Sequence, residues 1–288
     1  MHIGMHKTGS TSIQHFFSRS RRILPLFGLL YPPSFGADGR SQPKHNAIFS
    51  AVSHEADFGA PHPVLGPSAS LIERTAERFR RSRAHTCVLS AEGFSGEKPD
   101  FARALAPLGD EFDVTVIVFL RRPDIWLEKF HRQMIISREV RETRGIEEFA
   151  ALPATALHID YFAILDWWAN AFGSDAIRML PYREDSPVGV VPQFLAEMSA
   201  PAPLKRVAGL QRRRNRSADD DTALAALRGN RSGGAVDSRD LRLGEKARVT
   251  LASRLKRVWS ERGNGDRLCV KPPPFIFSML DQIQNEKG

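Results

Sequence analysis

Met1-His2-Ile3-Gly4-Met5-His6-Lys7-Thr8-Gly9-Ser10-Thr11-Ser12 opens the chain, and the reading of these residues decides the fold. A very short apolar start runs into a Gly/Ser/Thr-rich turn that carries one lysine, Lys7. The next residues, Ser10 to Phe17, read as the opening turns of a helix. Strand, tight polar loop and helix in that order make a phosphate cradle. The first N–H groups of a helix have no intrahelical partner, and its positive end favours an anion. A lysine and hydroxyls add further donors. The spacing differs from the usual nucleotide-triphosphatase loop, GxxxxGK followed by Ser or Thr. Here Lys7 precedes Gly9 and no Gly-Lys-Ser/Thr triplet exists, which disfavours a standard ATP or GTP site. A plain strand-to-helix turn stands beside the phosphate reading.

Further along, Thr86 to Ser90 and Asp113 to Leu120 read as strands, and Ile177 to Leu180 as a short late one ending at Pro181-Tyr182. Helical stretches between them imply parallel strands joined by crossovers. Such a sheet places ligands beyond its carboxyl ends, which gathers the Lys7 loop, the Ser90–Phe94 turn and Arg121-Arg122 on one face. Leu71 to Arg83 has the apolar spacing of an amphipathic helix, and Ala154 to Phe172 reads as one long helix. Asp219 to Gly229 and Leu243 to Trp259 are further helices. Residues 31–68, rich in Pro, Gly, Ser and His, read as a long loop near the ligand face. The run Gln211 to Ser217 is either an exposed basic loop or a phosphate contact. The stretch Cys269 to Pro274 fits no helix.

The 288 residues suffice for one large core, and a single domain with variable regions is the expectation. Hydrophobic residues at 42% and aromatics at 9% fit a globular protein. A formal charge of +8 suits anionic ligands without establishing nucleic-acid binding. Cys87 and Cys269 are the two cysteines, which excludes a disulfide framework or a cysteine-rich metal site. Cys87 reads as a small core residue. There is no leader and no membrane-spanning run, so the expected location is the cytoplasm, with a peripheral position at the inner membrane surface left open.

Two segments resemble a known family. Gly4 to Gln14 is similar to the phosphosulfate-binding loop of P-loop sulfotransferases, in particular the bacterial group resembling carbohydrate sulfotransferases. Val114 to Gln133 resembles the family's 3′-phosphate segment, and with Tyr182 the resemblance spans residues 1–185. It implies an α/β, three-layer P-loop-type fold with a central parallel sheet flanked by helices. It implies one sulfotransferase-like domain over 1–288, with 31–68 and 200–288 as variable substrate or cap regions. The co-substrate would be 3′-phosphoadenosine 5′-phosphosulfate (PAPS), with no metal required. The acceptor would be a hydroxyl of a glycan, glycolipid or small polar metabolite.

Carried over by position, His6, Lys7, Thr8, Gly9, Ser10, Thr11 and Ser12 would form the loop around the 5′-phosphosulfate, Lys7 also serving catalysis. Relatives often have proline where His6 stands. Arg121 follows an apolar strand and suits a bidentate grip on the 3′-phosphate. The family places a serine eight residues later, where this chain has Lys129. Glu92, after the apolar strand, is the expected general base. His45 is the rival, because imidazole titrates near neutrality. Two other readings remain: a kinase-like phosphotransferase and a non-catalytic nucleotide- or polyanion-binding protein.

Overall fold

The computed structural model describes residues 1–96, 98–186, 188–209, 219–232, 235–263 and 273–285, with backbone alone at 207, 209, 262 and 263. The Gln211–Ser217 run, Cys269 and most of the stretch after it lie outside the described residues. The chain divides into two compact units. One comprises Met1–Leu120 with Leu165–Arg214, the other Arg121–Ile164 with Asn215–Gly288.

The strands are β1 (Leu29–Leu30), β2 (Ser34–Phe35), β3 (Ser41–Gln42), β4 (Thr86–Cys87), β5 (Val116–Leu120) and β6 (Ile177–Pro181). β1 pairs with β4 in parallel, β2 with β3 antiparallel, and β5 with β6 in parallel from Val116↔Ile177 to Leu120↔Pro181. The expected three-layer fold with a central parallel sheet does not form. Among the described residues helix accounts for 59% and strand for 8%, and the strands lie in three separate two-stranded sheets. The reason is length. Of the segment expected as the first strand, His2 alone is bridged, in parallel to Ser90 and to Ile117. Gly4, at φ 109°, then turns the backbone out of the extended region. The run after Ala84 keeps two strand residues, whereas strands of five or so residues are what build a sheet.

In the first unit the helices are α1 (Ser10–Ser20), α2 (Asn46–Phe58), α3 (Ser68–Arg80) and α4 (Asp100–Leu105). Residues 31–68 are therefore not a simple loop. Ala47, Ile48, Ala51 and Val52 repeat at helical spacing, and α2 buries all four. The core of this unit joins Ile13, Phe16 and Phe17 of α1 to Val88, Ile117 and Phe119, with Phe194 packed among them. Cys87 is half-buried, and burial pushes its thiol up to about 12, in keeping with an inert structural cysteine.

The second unit carries α5 (Pro123–Ile136), α6 (Ile146–Ala150) and α7 (Pro153–Ile159). The expected single helix over 154–172 is broken. After α7 the chain leaves helical geometry at Asp160, whose carboxylate accepts from the Ala163 N–H at 3.1 Å and starts α8 (Tyr161–Phe172). Two helices, α9 (Val190–Glu197) and α10 (Ala202–Gly209), belong to the first unit. The remaining α11 (Asp220–Asn230), α12 (Glu245–Gly263) and α13 (Pro274–Asn285) belong to the second. Asp219 caps α11 by accepting from the Thr222 N–H at 2.8 Å. The sequence pattern does not place the tail. α13 forms there on the stripe Ile276, Leu280 and Ile283, all buried. Among the described residues no helix is long and apolar enough to cross a membrane.

Candidate functional site

The opening segment is anchored on both sides. The His2 N–H donates to the Leu89 carbonyl at 2.8 Å, the Ile3 N–H to Ile117 at 3.2 Å, and the Ile117 N–H to Met1 at 2.7 Å. From this base the chain turns through Gly4, Lys7 and Gly9, at φ 109°, 62° and 82°. Two of these turns admit only glycine comfortably. A Cβ on Gly4 would lie 2.9 Å from Ser95 Oγ and 3.1 Å from the Glu92 carbonyl; on Gly9 it would lie 2.9 Å from Val190 and 3.3 Å from the Tyr182 ring. The loop is thus pressed between the Glu92 turn and the Tyr182–Val190 segment.

Inside the loop, Thr8 Oγ1 and Ser10 Oγ both donate to the Met5 carbonyl, at 2.6 and 3.0 Å. Their hydroxyl protons hold the turn in shape. α1 starts at Ser10 behind Gly9, with no side-chain cap. The Ser12 and Ile13 N–H groups reach back to the Gly9 carbonyl. The remaining N–H groups of the first turn have no intrahelical partner by helix geometry, and the helix end carries roughly half a positive charge. Buried Ile13, Phe16 and Phe17 keep the axis in place.

Glu92 begins a 3-10 turn, Glu92–Ser95, beside this loop. Its Oε2 stands 3.4 Å from His6 Nδ1, and the two side chains are 22% and 27% exposed. Burial would raise the Glu92 pKa, but hydrogen bonding from His6 and the charges of His6 and Lys44 outweigh it, so the carboxyl sits below its ordinary value. Glu92 is therefore an anion at neutral pH and a weak proton acceptor by itself.

His45 is built differently. It is 2% exposed, its Nδ1 accepts from the Ser90 N–H at 3.0 Å, and its Nε2–H donates to the Pro32 carbonyl at 3.0 Å. Burial pushes it down to about 4, so the ring is neutral and both nitrogens are engaged with backbone. Tyr31 packs edge-on against it at 4.7 Å and donates to the Pro43 carbonyl at 2.7 Å. Together these contacts tie down the segment that presents Lys44.

The 3′-phosphate candidates belong to the second unit. Arg121 is 4% exposed, and its carbonyl accepts from the Tyr161 hydroxyl at 2.9 Å. Arg122 makes a fork to buried Asp124, at 2.9 and 3.1 Å. Lys129 is half-buried on α5. Trp126 is fully buried and stacked on Phe130 at 4.7 Å, a packing role.

No protein-family model matches the chain, and no curated protein matches it. Among solved structures it is similar to a sulfotransferase from Alicyclobacillus acidocaldarius. The two are 16% identical with a TM-score of 0.42, over 81% of this chain and 95% of that one. So slight a likeness says nothing about the chemistry of this chain, which has to be read from its own geometry.

Within the first unit, then, the fold brings together the loop residues His6 to Ser12, Glu92, Lys44 and Tyr182; Arg121 and Lys129 fall in the second. Three contributors escape the sequence pattern. Val190 presses on Gly9, Ser95 presses on Gly4, and buried His2 pairs with Ser90 Oγ at 2.8 Å under the loop. Only His2 carries a signal, as a polar residue inside the apolar start. Among the described residues no group of three or more His, Cys, Asp or Glu side chains could hold a metal ion.

Proposed function

We propose that the chain transfers a sulfuryl group from PAPS to a hydroxyl of a glycan, glycolipid or small polar metabolite. The single observation that supports this most is the corner in which the strained Gly4–Gly9 loop, the uncapped start of α1 and the His6–Glu92 contact meet. An anion-binding turn and a proton-accepting pair are the two things such a transfer requires of a protein.

In this reading the donor supplies an activated sulfuryl group on a phosphate leaving group. The first-turn N–H groups and Lys7 offset the charge that grows on the leaving oxygen. Thr8 and Ser10, bound to the Met5 carbonyl, keep the loop from relaxing as that charge develops. Thr11 and Ser12, on the first turn of α1, add hydroxyl donors. Arg121, with Lys129 on the helix after it, is assigned to the donor's 3′-phosphate. Proton removal from the acceptor falls to the Glu92 corner. His45 is assigned a supporting role, because both its nitrogens are already hydrogen-bonded.

Calorimetric titration of 3′-phosphoadenosine 5′-phosphate beside ATP tests the proposal. Selective binding of the former is expected, weakened about tenfold or more in Lys7→Ala and in Arg121→Ala. Equal binding of ATP would favour the phosphotransferase reading, and no binding of either would sink both.

A further inference from the structure

We infer that Lys44 holds an anionic group of the acceptor, which makes the preferred substrate a sugar bearing a carboxylate or a sulfate. The inference deepens the sulfuryl-transfer reading and rests on it.

The segment around Lys44 is fastened by Arg21, Tyr31, Pro32 and Ser90, all within the first unit. The Tyr31 hydroxyl donates to the Pro43 carbonyl at 2.7 Å, and Arg21 Nη2 donates to the Gln42 carbonyl at 3.2 Å. His45 closes the segment on its other side. Its N–H donates to the Ser90 carbonyl at 2.8 Å, and its Nδ1 accepts from the Ser90 N–H at 3.0 Å. Its Nε2–H donates to the Pro32 carbonyl at 3.0 Å. Ring contacts brace these bonds: Arg21 lies over Tyr31 at 5.3 Å, and Tyr31 meets His45 edge-on at 4.7 Å. A loop lysine ordinarily loses backbone freedom when it grips an anion. Here folding has already fixed that backbone, so an anion meets a prepared cation.

The same contacts set Lys44 beside Glu92. Ser90, which anchors His45, is two residues before Glu92. α2 begins at Asn46, directly after His45, and its Phe49 ring would lie 2.3 Å from a Cβ on Gly93. The helix that follows Lys44 is therefore packed on the turn that opens with Glu92. Glu92 is thus joined to the loop by His6, at 3.4 Å, and to the Lys44 segment through Ser90.

Electrostatics agrees with this placement. Burial raises Glu92, hydrogen bonding and charge from His6 lower it, and the Lys44 charge lowers it further. The ammonium is felt at the carboxylate, yet Lys44 makes no ion pair among the described residues. Lys98 and Lys256, by contrast, are paired with Asp57 and Asp281. Lys44 is also half-buried, where a charge pair is screened less than at an open surface. An anionic sugar carries a hydroxyl and a negative group on one ring. Such a ring can offer the hydroxyl to Glu92 while its charge meets Lys44.

Calorimetry on the full chain loaded with 3′-phosphoadenosine 5′-phosphate tests this. The probes are methyl glucuronide, methyl glucoside 6-sulfate and the neutral methyl glucoside, each titrated into wild type, Lys44→Gln and Lys44→Arg. Nucleotide affinity and thermal unfolding are measured for each variant. At least one anionic probe is expected to bind wild type about tenfold or more tightly than the glucoside. The tighter of the two identifies the group that Lys44 takes. Lys44→Gln should erase the preference and Lys44→Arg should keep most of it, while both bind the nucleotide and unfold as wild type does.

Equal binding of charged and neutral probes, binding of none, or a charge preference that survives Lys44→Gln would overturn the inference. So would a loss of nucleotide affinity in Lys44→Gln, which would place Lys44 at the donor. If wild type binds no nucleotide, the sulfuryl-transfer reading falls. Titrating the probes into the bare chain then still decides whether Lys44 holds an anionic sugar.

Discussion

The corner around Gly4–Ser12 and the helical cluster around Asp124 are both rich in charge, and they use it in opposite ways. At the corner, one carboxylate meets one histidine, both partly exposed, and backbone turns hold them. In the second unit the charges neutralise one another. Asp124, 1% exposed, takes the Arg122 fork and has Arg248 at 3.8 Å; Glu128 pairs with Arg248 at 2.6 Å. Asp220 binds both Arg132 and Arg242, and Glu142 binds Arg144. The Arg248 and Arg132 pairs connect α5 to α12 and α11. A surplus of +8 is therefore a poor guide to a binding site, because many of the arginines are committed to stitching helices. What marks the corner is strained backbone beside titratable groups that retain access to solvent.

Four perturbations put this contrast to the test. The greatest loss is expected at Asp124. Asp124→Ala takes the carboxylate away from the largely buried Arg122 guanidinium and should cost about 3–5 kcal/mol, read by denaturant unfolding. A cost near zero would mean that the second region's charges are ornamental.

Acid should act on the first unit through its buried histidines. His45 and His2 are pushed by burial to about 4 and about 3, below the free value, so the unfolded chain takes up protons before the folded one. Their contribution is complete above the free histidine value and is lost as pH falls through it towards the folded values. His45 alone should account for about 3 kcal/mol between neutrality and pH about 4. Unfolding free energies measured across that range should fall more gently in His45→Gln than in wild type, and an identical pH slope would contradict the assignment.

Gly4→Ala ranks next. With φ 109° and Ser95 Oγ in the way, it should destabilise by about 1–3 kcal/mol. It should also weaken nucleotide binding by more than that loss of folded fraction explains, a difference that calorimetry on the folded fraction would reveal. The mildest change belongs to Asp240→Asn. This residue pairs with Arg231 at 2.9 Å, but the two side chains are 21% and 23% exposed, so under about 1 kcal/mol is expected in thermal unfolding. A larger loss would move this pair into the class of Asp124.

Much of the local structure was legible. The glycine-bearing turn, the start of α1, the apolar runs at β5 and β6, and the helices at α3, α11 and α12 follow from periodicity and end signals. The helix α2 was hidden because prolines and histidines on either side of Asn46–Phe58 suggested a loop, while its four buried residues are small or β-branched. The break at Asp160 was legible in principle, since aspartate inside a helical pattern favours a cap. The central sheet was overread. A one-residue bridge at His2 and a two-residue β4 leave the apolar runs as separate pairs amid helices.

The site divides in the same manner. Residue types alone set the composition of the loop, the positions where glycine permits left-handed turns, and the presence of Glu92 and two histidines as titratable side chains. The resemblance placed His45 before His6 as a rival base, but residue type alone does not separate two histidines, whose free side chains have the same chemistry. Tertiary structure sets the two in different surroundings. It buried His45 between the Ser90 and Pro32 backbone, where desolvation and two hydrogen bonds hold it neutral. It brought the Glu92 turn, over eighty residues along the chain, against His6 and the wall of Gly4. Burial and partner geometry set proton affinity and access, and both come only from contacts between segments distant in the chain.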